Sequence, residues 1–278
     1  MTDTVKQYRL DDIESFRNDV YSYYDASGRH DLPWRHTSEP WQILVSEVML
    51  QQTQVDRVRE KYREFFDAFP TVRDLAYAPV SELLAVWKGL GYNRRALNLQ
   101  RSAQMILSTF DGQLPSEHDD LVRLPGIGPA TASAIRTYAF KQPEVYIETN
   151  IRAVFIHHFF GEMSDVHDDQ IRPIVEHALD RDEPFKWYSA LMDYGTALKK
   201  KYGNPTRRSK HYTKQSKFEG SNRQLRSQIL TAVMESDGMT VAALDTKLEG
   251  ERQSIKTNCE SMVLEGFLVK DKRTYRVR

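Results

Sequence analysis

Glu47 lies in the segment SEVMLQQTQV, Ser46 to Val55, where helical spacing gathers Val45, Val48, Met49 and Gln52 around it. A carboxyl group in apolar surroundings is desolvated and keeps its proton more readily. A general acid needs this property if it is to protonate a purine ring nitrogen and make the base a better leaving group. On spacing alone, a surface acid remains the plainer reading of the same residue. The segment LPGIGPATA, Leu124 to Ala132, is a second candidate. Its glycines allow a tight turn with outward-facing N–H groups, and Pro129 suits the first turn of a following helix. Such a helix N-terminus attracts a phosphate oxygen and reads no base. His157 and His158 have no partner ligands at metal spacing, and Tyr21, Tyr23 and Tyr24 follow a helical pattern, so packing is the better reading of both groups.

These residues need helices to hold them, and the pattern is helical nearly throughout. Apolar residues recur at three and four in IESFRNDVYSYY, SELLAVWKGL, LNLQRSAQMIL, TASAIRTYAF and IRPIVEHAL. Short Pro- or Gly-bearing connectors at Ser38 to Pro40, Phe69-Pro70, Ala78-Pro79 and Gly112 to Pro115 separate them, as in a compact all-α fold. Residues 1–203 read as one helical unit. Residues 204–222, rich in charge and lacking an amphipathic period, read as a linker or an irregular DNA-facing loop. Beyond it Arg223 to Glu235, Val241 to Leu248 and Gln253 to Glu265 read as three helices. GFLVKDKRTYRVR reads as a hairpin turning near Asp271-Lys272, so residues 223–278 form a small winged-helix-like α+β module.

The 278 residues, 40% of them apolar, suffice for a substantial core. The polar start MTDTVKQYRL has no signal-peptide core and no apolar stretch reaches a membrane span, which places the chain in the cytoplasm. The single cysteine, Cys259, excludes an internal disulfide and any all-cysteine zinc or iron–sulfur site within one chain. Formal charge is zero, but its distribution is uneven: Lys199 to Arg226 holds ten Lys or Arg against one acid, and Gly161 to Glu183 holds eight acids against two arginines. Tyr202, His211, Tyr212 and Phe218 interleave the basic run, which suits a strand-tracking surface better than a plain solvated face.

LPWR (Leu32 to Arg35), SEVMLQQTQV, FPTVRDLA, WKGLGYNRRALNL, LPGIGPATA and Asn150 stand in an order and spacing that resembles the MutY-type adenine glycosylases of the helix-hairpin-helix (HhH-GPD) superfamily. The match covers Leu32 to Tyr194, most of the helical unit. It implies two helical subdomains flanking a cleft: a six-helix barrel with the hairpin over about residues 38–142, and a second subdomain from the remainder.

By position, the resemblance makes Glu47 the catalytic acid, which protonates the adenine ring and then positions water. Gln51, Gln52 and Thr53 match residues that enter the duplex beside the extruded base, and Gly89 to Tyr92, with Leu90 and Tyr92, matches a loop contacting the opposite strand. Flipping is required because a stacked base hides its glycosidic bond. Leu124, Gly126, Ile127, Gly128 and Thr131 belong to the phosphate-binding hairpin, where a structural monovalent cation is the one ion the resemblance allows. In IETNIRAVF, Glu148 replaces the family aspartate that stabilises the sugar cation formed as the base leaves, and Asn150 is kept. Three readings of Glu148 stay open: it does the aspartate's work from a shifted backbone, it tunes a different substrate, or the site is catalytically dead.

Other departures narrow the expectation. Ala130 stands where bifunctional relatives place a Schiff-base lysine, and Lys141 lies beyond the following helix, so strand cleavage is not expected. The four cluster-binding cysteines that such enzymes carry after Met-Asp-Leu-Gly are absent; Arg207, Arg208, Lys210 and Lys214 take that place and are expected to contact phosphates by charge alone. No catalytic metal or other cofactor is called for. The expected activity is monofunctional hydrolysis of a mispaired base, adenine opposite G or 8-oxoguanine, in double-stranded DNA, by a monomer working at the nucleoid. The alternatives are a glycosylase for thymine, uracil or a modified base, and a non-catalytic DNA-binding protein on the same scaffold.

Overall fold

The computed structural model describes residues 10–214, 217–248 and 251–278. The polar opening segment before Leu10 and linker residues 215–216 therefore lie outside the described residues. Eleven helices come first: α1 (Leu10–Ser27), α2 (Pro40–Leu50), α3 (Val55–Ala68), α4 (Val72–Tyr77), α5 (Val80–Trp87), α6 (Arg94–Thr109), α7 (His118–Arg123), α8 (Pro129–Phe140), α9 (Thr149–Phe159), α10 (Asp168–Ala178) and α11 (Pro184–Tyr202). The C-terminal module follows, with α12 (Asn222–Glu235), β1 (Met239–Thr240), α13 (Val241–Leu248), α14 (Arg252–Glu265), β2 (Leu268–Asp271) and β3 (Thr274–Val277). Its antiparallel strands lie in the order β1-β3-β2, the hairpin turning after Asp271 as the sequence suggests. The pattern reading missed β1, whose two residues are too few to display an alternation. No helix among the described residues is long and apolar enough to cross a membrane.

The chain forms two compact units. One takes Met1–Glu47, Leu114–Arg123 and Ile127–Thr213; the other takes Val48–Gln113, Leu124–Gly126 and Lys214–Arg278. The division falls inside α2, directly after Glu47.

In the first unit the core is built on Phe16, Val20, Ile151, Val154, Phe155, Ile174, Val175, Trp187 and Leu191, all buried. Phe16 is its aromatic centre, edge-on to Phe155 at 5.2 Å and to His158 at 5.0 Å between ring centroids. His158 also bonds the Tyr194 hydroxyl at 3.0 Å, and among the described residues no group of three metal-ligating side chains occurs. The neighbouring rings are in contact as well: His157 stacks on Tyr202 at 4.8 Å, Tyr21 meets Trp187 at 5.4 Å and Tyr23 meets Tyr194 at 5.4 Å between centroids. The supposed linker starts with order: Asn204 caps a 3-10 turn over Pro205–Arg208, Pro205, Thr206 and Ser209 are buried, and Val166 bridges Ser209. This segment lacks an amphipathic period because a capped turn and one bridge fix it, not a helix face.

Buried Asp193 on α11 ties this unit together. It accepts from the Arg29 N–H and Nε at 2.7 Å each, and from Arg35 Nη1 and Nη2 at 2.8 and 2.9 Å. Burial alone would raise the Asp193 carboxyl, but the hydrogen bonds and charge of Arg35, then Arg29, hold it below the ordinary carboxylate range. Arg35, over the ring of Tyr24 at 5.6 Å, thereby fixes the LPWR turn against α11.

In the second unit Phe65, Phe69, Leu75, Leu83, Trp87, Leu99 and Ile106 are buried, and so are Ile229, Leu244, Ile255 and Tyr275 within the C-terminal module. Thr71 and Asp74 form a capping box that starts α4, and Gln100 of α6 donates to the carbonyls of Leu75 and Ala78 at its end. The Cys259 thiol is buried in α14, and burial pushes it up to about 11, away from thiolate reactivity.

Removing one partner of a buried ion pair leaves the others uncompensated. Asp193→Asn is expected to cost about 3–5 kcal/mol in urea unfolding. Glu235→Gln, which breaks the exposed pair with Lys247, should cost under about 1 kcal/mol; equal losses would refute the assignment.

Candidate active site

Glu47 lies in the C-terminal half of α2 between buried Ser46 and Val48, itself half-buried. Its carboxyl makes no hydrogen bond among the described residues. Desolvation, with the negative charge of Glu148 adding to it, raises Glu47 to about 8. Tyr138 of α8 and Tyr146 are its other polar neighbours. Burial pushes both phenols above their ordinary value, and Glu47 adds to both shifts. The Tyr146 ring stacks on Tyr188 at 4.3 Å, and its buried hydroxyl, beside that of Tyr138, makes no hydrogen bond of ordinary geometry.

Glu148 is the N-cap of α9. One carboxylate oxygen, Oε1, accepts from the N–H groups of Asn150 at 2.6 Å and Ile151 at 3.4 Å, so the side chain curls back over its own helix end. The extra methylene is taken up in that curl, and the helix N-terminus favours the negative charge. Asn150, the second residue of α9, is half-buried, with Nδ2 3.8 Å from the Met192 sulfur. Gly195 of α11 makes this close packing possible: a Cβ there would lie 2.6 Å from the Asn150 carbonyl oxygen. Glu47, Glu148 and Asn150 thus belong to one unit, with Glu47 and Glu148 near enough to act on each other electrostatically.

The hairpin runs from α7 to α8. Gly126 has φ +84°, and a Cβ would meet the Asn98 side chain at 2.9 Å, so its glycine is required by the chain itself. Gly128 is different: its φ is −89° and a Cβ would meet nothing within 4 Å. It caps α8 without a side-chain bond, with Pro129 at the first helical position. Thr131 is half-buried in the first turn, and Ala130 is exposed beside it. Leu124 and Ile127 are buried, as is Leu90, so the side chains of these three do not form a surface. Sequence matching alone does not separate backbone from side-chain roles; in these three only main-chain groups can face a ligand.

Gln52 is exposed with φ +55° and Tyr92 is 37% exposed with φ +46°, while the half-buried Gln51 side chain donates to the Gly126 carbonyl at 3.4 Å. The residue that fixes these loops escaped the sequence reading. Buried Arg95 donates to the carbonyls of Val48 and Met49 at 2.8 Å each, to Thr53 Oγ1 at 2.9 Å, and to the carbonyls of Leu90 and Gly91 at 3.1 Å each. It therefore satisfies the C-terminal end of α2 and pins two loops at once. Burial lowers Arg95 only to about 10, so it remains charged at neutral pH. A signal was present: Arg95 shares the helical stripe of Leu99, Ala103 and Ile106, all buried.

Arg207, Lys210 and Lys214 are exposed, and half-buried Arg208 reaches the Ile156 carbonyl at 3.5 Å. After α11 the chain offers lysines, the Asn204 cap and Pro205, and its one cysteine lies in α14. That donor set does not fit a [4Fe–4S] cluster.

Residues 45–177 match the family model described as HhH-GPD superfamily base excision DNA repair protein. The chain is 37% identical over 182 residues to the adenine DNA glycosylase of Mycolicibacterium smegmatis, covering 65% of this chain and 62% of that protein. It is 36% identical over 151 residues to the thymine/uracil-DNA glycosylase of Pyrobaculum aerophilum, covering 54% and 65%. The solved structure of a thermostable thymine-DNA glycosylase superposes with TM-score 0.59 at 23% identity, over 66% of this chain and 86% of that one, a likeness of fold. The chain spans 52% to 62% of the length of the adenine DNA glycosylases first among its relatives. The family match over Glu47, the hairpin and Glu148, the relatives and the fold agree: residues 45–177 are an HhH-GPD domain of the base excision DNA repair superfamily.

Proposed function

We propose that this protein removes a mispaired adenine, opposite G or 8-oxoguanine, from double-stranded DNA by hydrolysis. The observation that carries the reading is the Glu47 carboxyl, raised to about 8 and left without a hydrogen bond, beside an anionic Glu148 held by a helix N-terminus. At neutral pH such a carboxyl holds a proton and has no internal acceptor for it. Given to a ring nitrogen of an extruded adenine, that proton lets the glycosidic electron pair leave with the base. Glu148 then faces the cationic sugar at C1′, and a water held by Asn150 adds there, returning its proton to Glu47. Ala130 provides no amine, so the strand stays intact and the enzyme is monofunctional.

The duplex is held by phosphate contacts at the end of α8, where the empty space above Gly128 admits a close approach, and by Arg207, Arg208, Lys210 and Lys214. Gln51, Gln52, Thr53 and Tyr92 are the wedge and opposite-strand residues. We place the protein in the cytoplasm, acting on nucleoid DNA as a monomer without an iron–sulfur cluster. A pyrimidine substrate is the second reading, favoured by the similarity to the thymine/uracil-DNA glycosylase and by Glu148 in place of aspartate.

Single-turnover base release tests this on duplexes carrying A opposite 8-oxoguanine, A opposite G, T opposite G and U opposite G. Adenine release abolished by Glu47→Gln is the expected result. Pyrimidine release would establish the second reading, and binding without release a non-catalytic protein. The rate of adenine release should fall tenfold per pH unit above about 8 as Glu47 ionises. Stability moves with the same proton. The fold retains it between the unfolded value near 4.5 and about 8, so wild-type stability declines as pH rises through that window. Glu47→Gln should melt progressively higher than wild type from pH 5 to pH 8.5, and a constant gap would contradict the shift. Alanine at each of Arg207, Lys210 and Lys214 should reduce the slope of log affinity against log salt by about one.

A further inference from the structure

Tyr92 is a partly exposed loop residue with φ +46°, a backbone state that side chains other than glycine rarely adopt. A strained surface loop holds one conformation only when its surroundings over-determine it. Arg95 does this, with its guanidinium 5.8 Å from the Tyr92 ring and its bond to the Gly91 carbonyl, to which Trp87 Nε1 also donates at 3.1 Å. A second grip comes from the C-terminal module. Arg223, in the first turn of α12, donates from Nη1 to the Tyr92 hydroxyl at 2.6 Å and lies 5.6 Å from the same ring.

The surrounding bonds make this a fixture. Ser221 caps α12 and so sets the position of Arg223. One turn on, Arg226 donates to Glu265 Oε2 at 2.8 Å, and the same carboxylate pairs with Arg94 at 2.8 Å. Arg94 opens α6 two residues after Tyr92, and Arg101 of that helix donates to the Glu265 carbonyl at 2.6 Å. The module thus grips both the Tyr92 side chain and the helix that begins beside it. The two guanidinium groups lie 5.8 and 5.6 Å from the ring centroid, and 37% of Tyr92 remains exposed, so the held ring keeps surface that can meet a base.

We infer that the C-terminal module sets opposite-strand selectivity: Arg223 is a positioning residue that holds Tyr92 in the conformation that meets the base opposite the excised one. The inference takes the nature of the ligand from the DNA-glycosylase reading, while the coupling itself stands on the Arg223–Tyr92 contact. Loss of Arg223 frees the loop, and its ordering then has to occur on binding, at a cost paid only where Tyr92 finds its base.

The test is equilibrium binding of the full chain to fluorescent duplexes carrying uncleavable 2′-fluoro-deoxyadenosine opposite 8-oxoguanine, G, C or T. Arg223→Ala is expected to weaken binding to the favoured pairing about tenfold, the loss typical of one charge-assisted hydrogen bond, and the poorest pairing less than about twofold. The salt slope should stay unchanged. Arg223→Lys keeps the charge without the planar stack and should restore little of the selectivity. Adding Tyr92→Ala to Arg223→Ala should cost no more than Tyr92→Ala alone. Lys247→Ala, elsewhere on the module, serves as the unaffected control. Uniform weakening across all pairings, with the salt slope reduced by about one, would make Arg223 a phosphate contact and overturn the inference. Unchanged binding, or a wild type indifferent to the opposite base, would overturn it too. Wild-type binding without base release would defeat the glycosylase reading and still leave the Arg223 effect measurable.

Discussion

A carboxyl group that has to keep its proton near neutral pH must be shielded from water and from cations together, and much of the first unit meets that demand around Glu47. Water is limited by the buried residues on either side of it in α2. Among the described residues, the charge that acts on Glu47 is the negative one of Glu148, which favours the proton further. Elsewhere in the unit Asp193 holds both Arg35 and Arg29 on its own oxygens.

Geometry and charge meet again where α9 begins. Glu148 caps its own helix through Oε1, which fixes the carboxylate and leaves its second oxygen outside the cap. The cap sits where it does because α11 presents Gly195 to the Asn150 backbone, and a methyl group there would push the helix end away. The second unit repeats the scheme with a cation. Arg95 closes the end of α2, Thr53 and the Leu90–Gly91 turn around a single guanidinium, so the groups read as DNA-facing share one anchor.

Much of this was legible in the sequence, for identifiable reasons. Helices showed because their apolar residues recur at three and four, and the hairpin because LPGIGPATA places glycine and proline where a turn and a helix start require them. Glu47 stood out through the motif resemblance, because its apolar neighbours along the helix alone left a surface acid as the plainer reading. Asp193 did not, since its partner Arg35 lies 158 residues away and no local pattern records such a pairing. Arg95 was visible only as a charge on an apolar stripe. Leu90, Leu124 and Ile127 matched the motif correctly as letters, but letters do not say that the side chains face inward. The turn at Pro205–Arg208 hid for the opposite reason: it is held by a cap and a single bridge, which leave no periodicity to read.

The two hairpin glycines, so alike in the motif, are imprints of different objects. Gly126 is shaped by the protein's own Asn98, and its absence would be felt as soon as the chain folds. Around Gly128 the folded chain leaves empty space, so nothing inside the molecule accounts for the missing side chain. In the proposed reading that space is left for a phosphate of the duplex. A survey of variants scored by folding alone would then find position 128 permissive and position 126 strict, and a survey scored in the presence of nucleic acid would see the two as a pair.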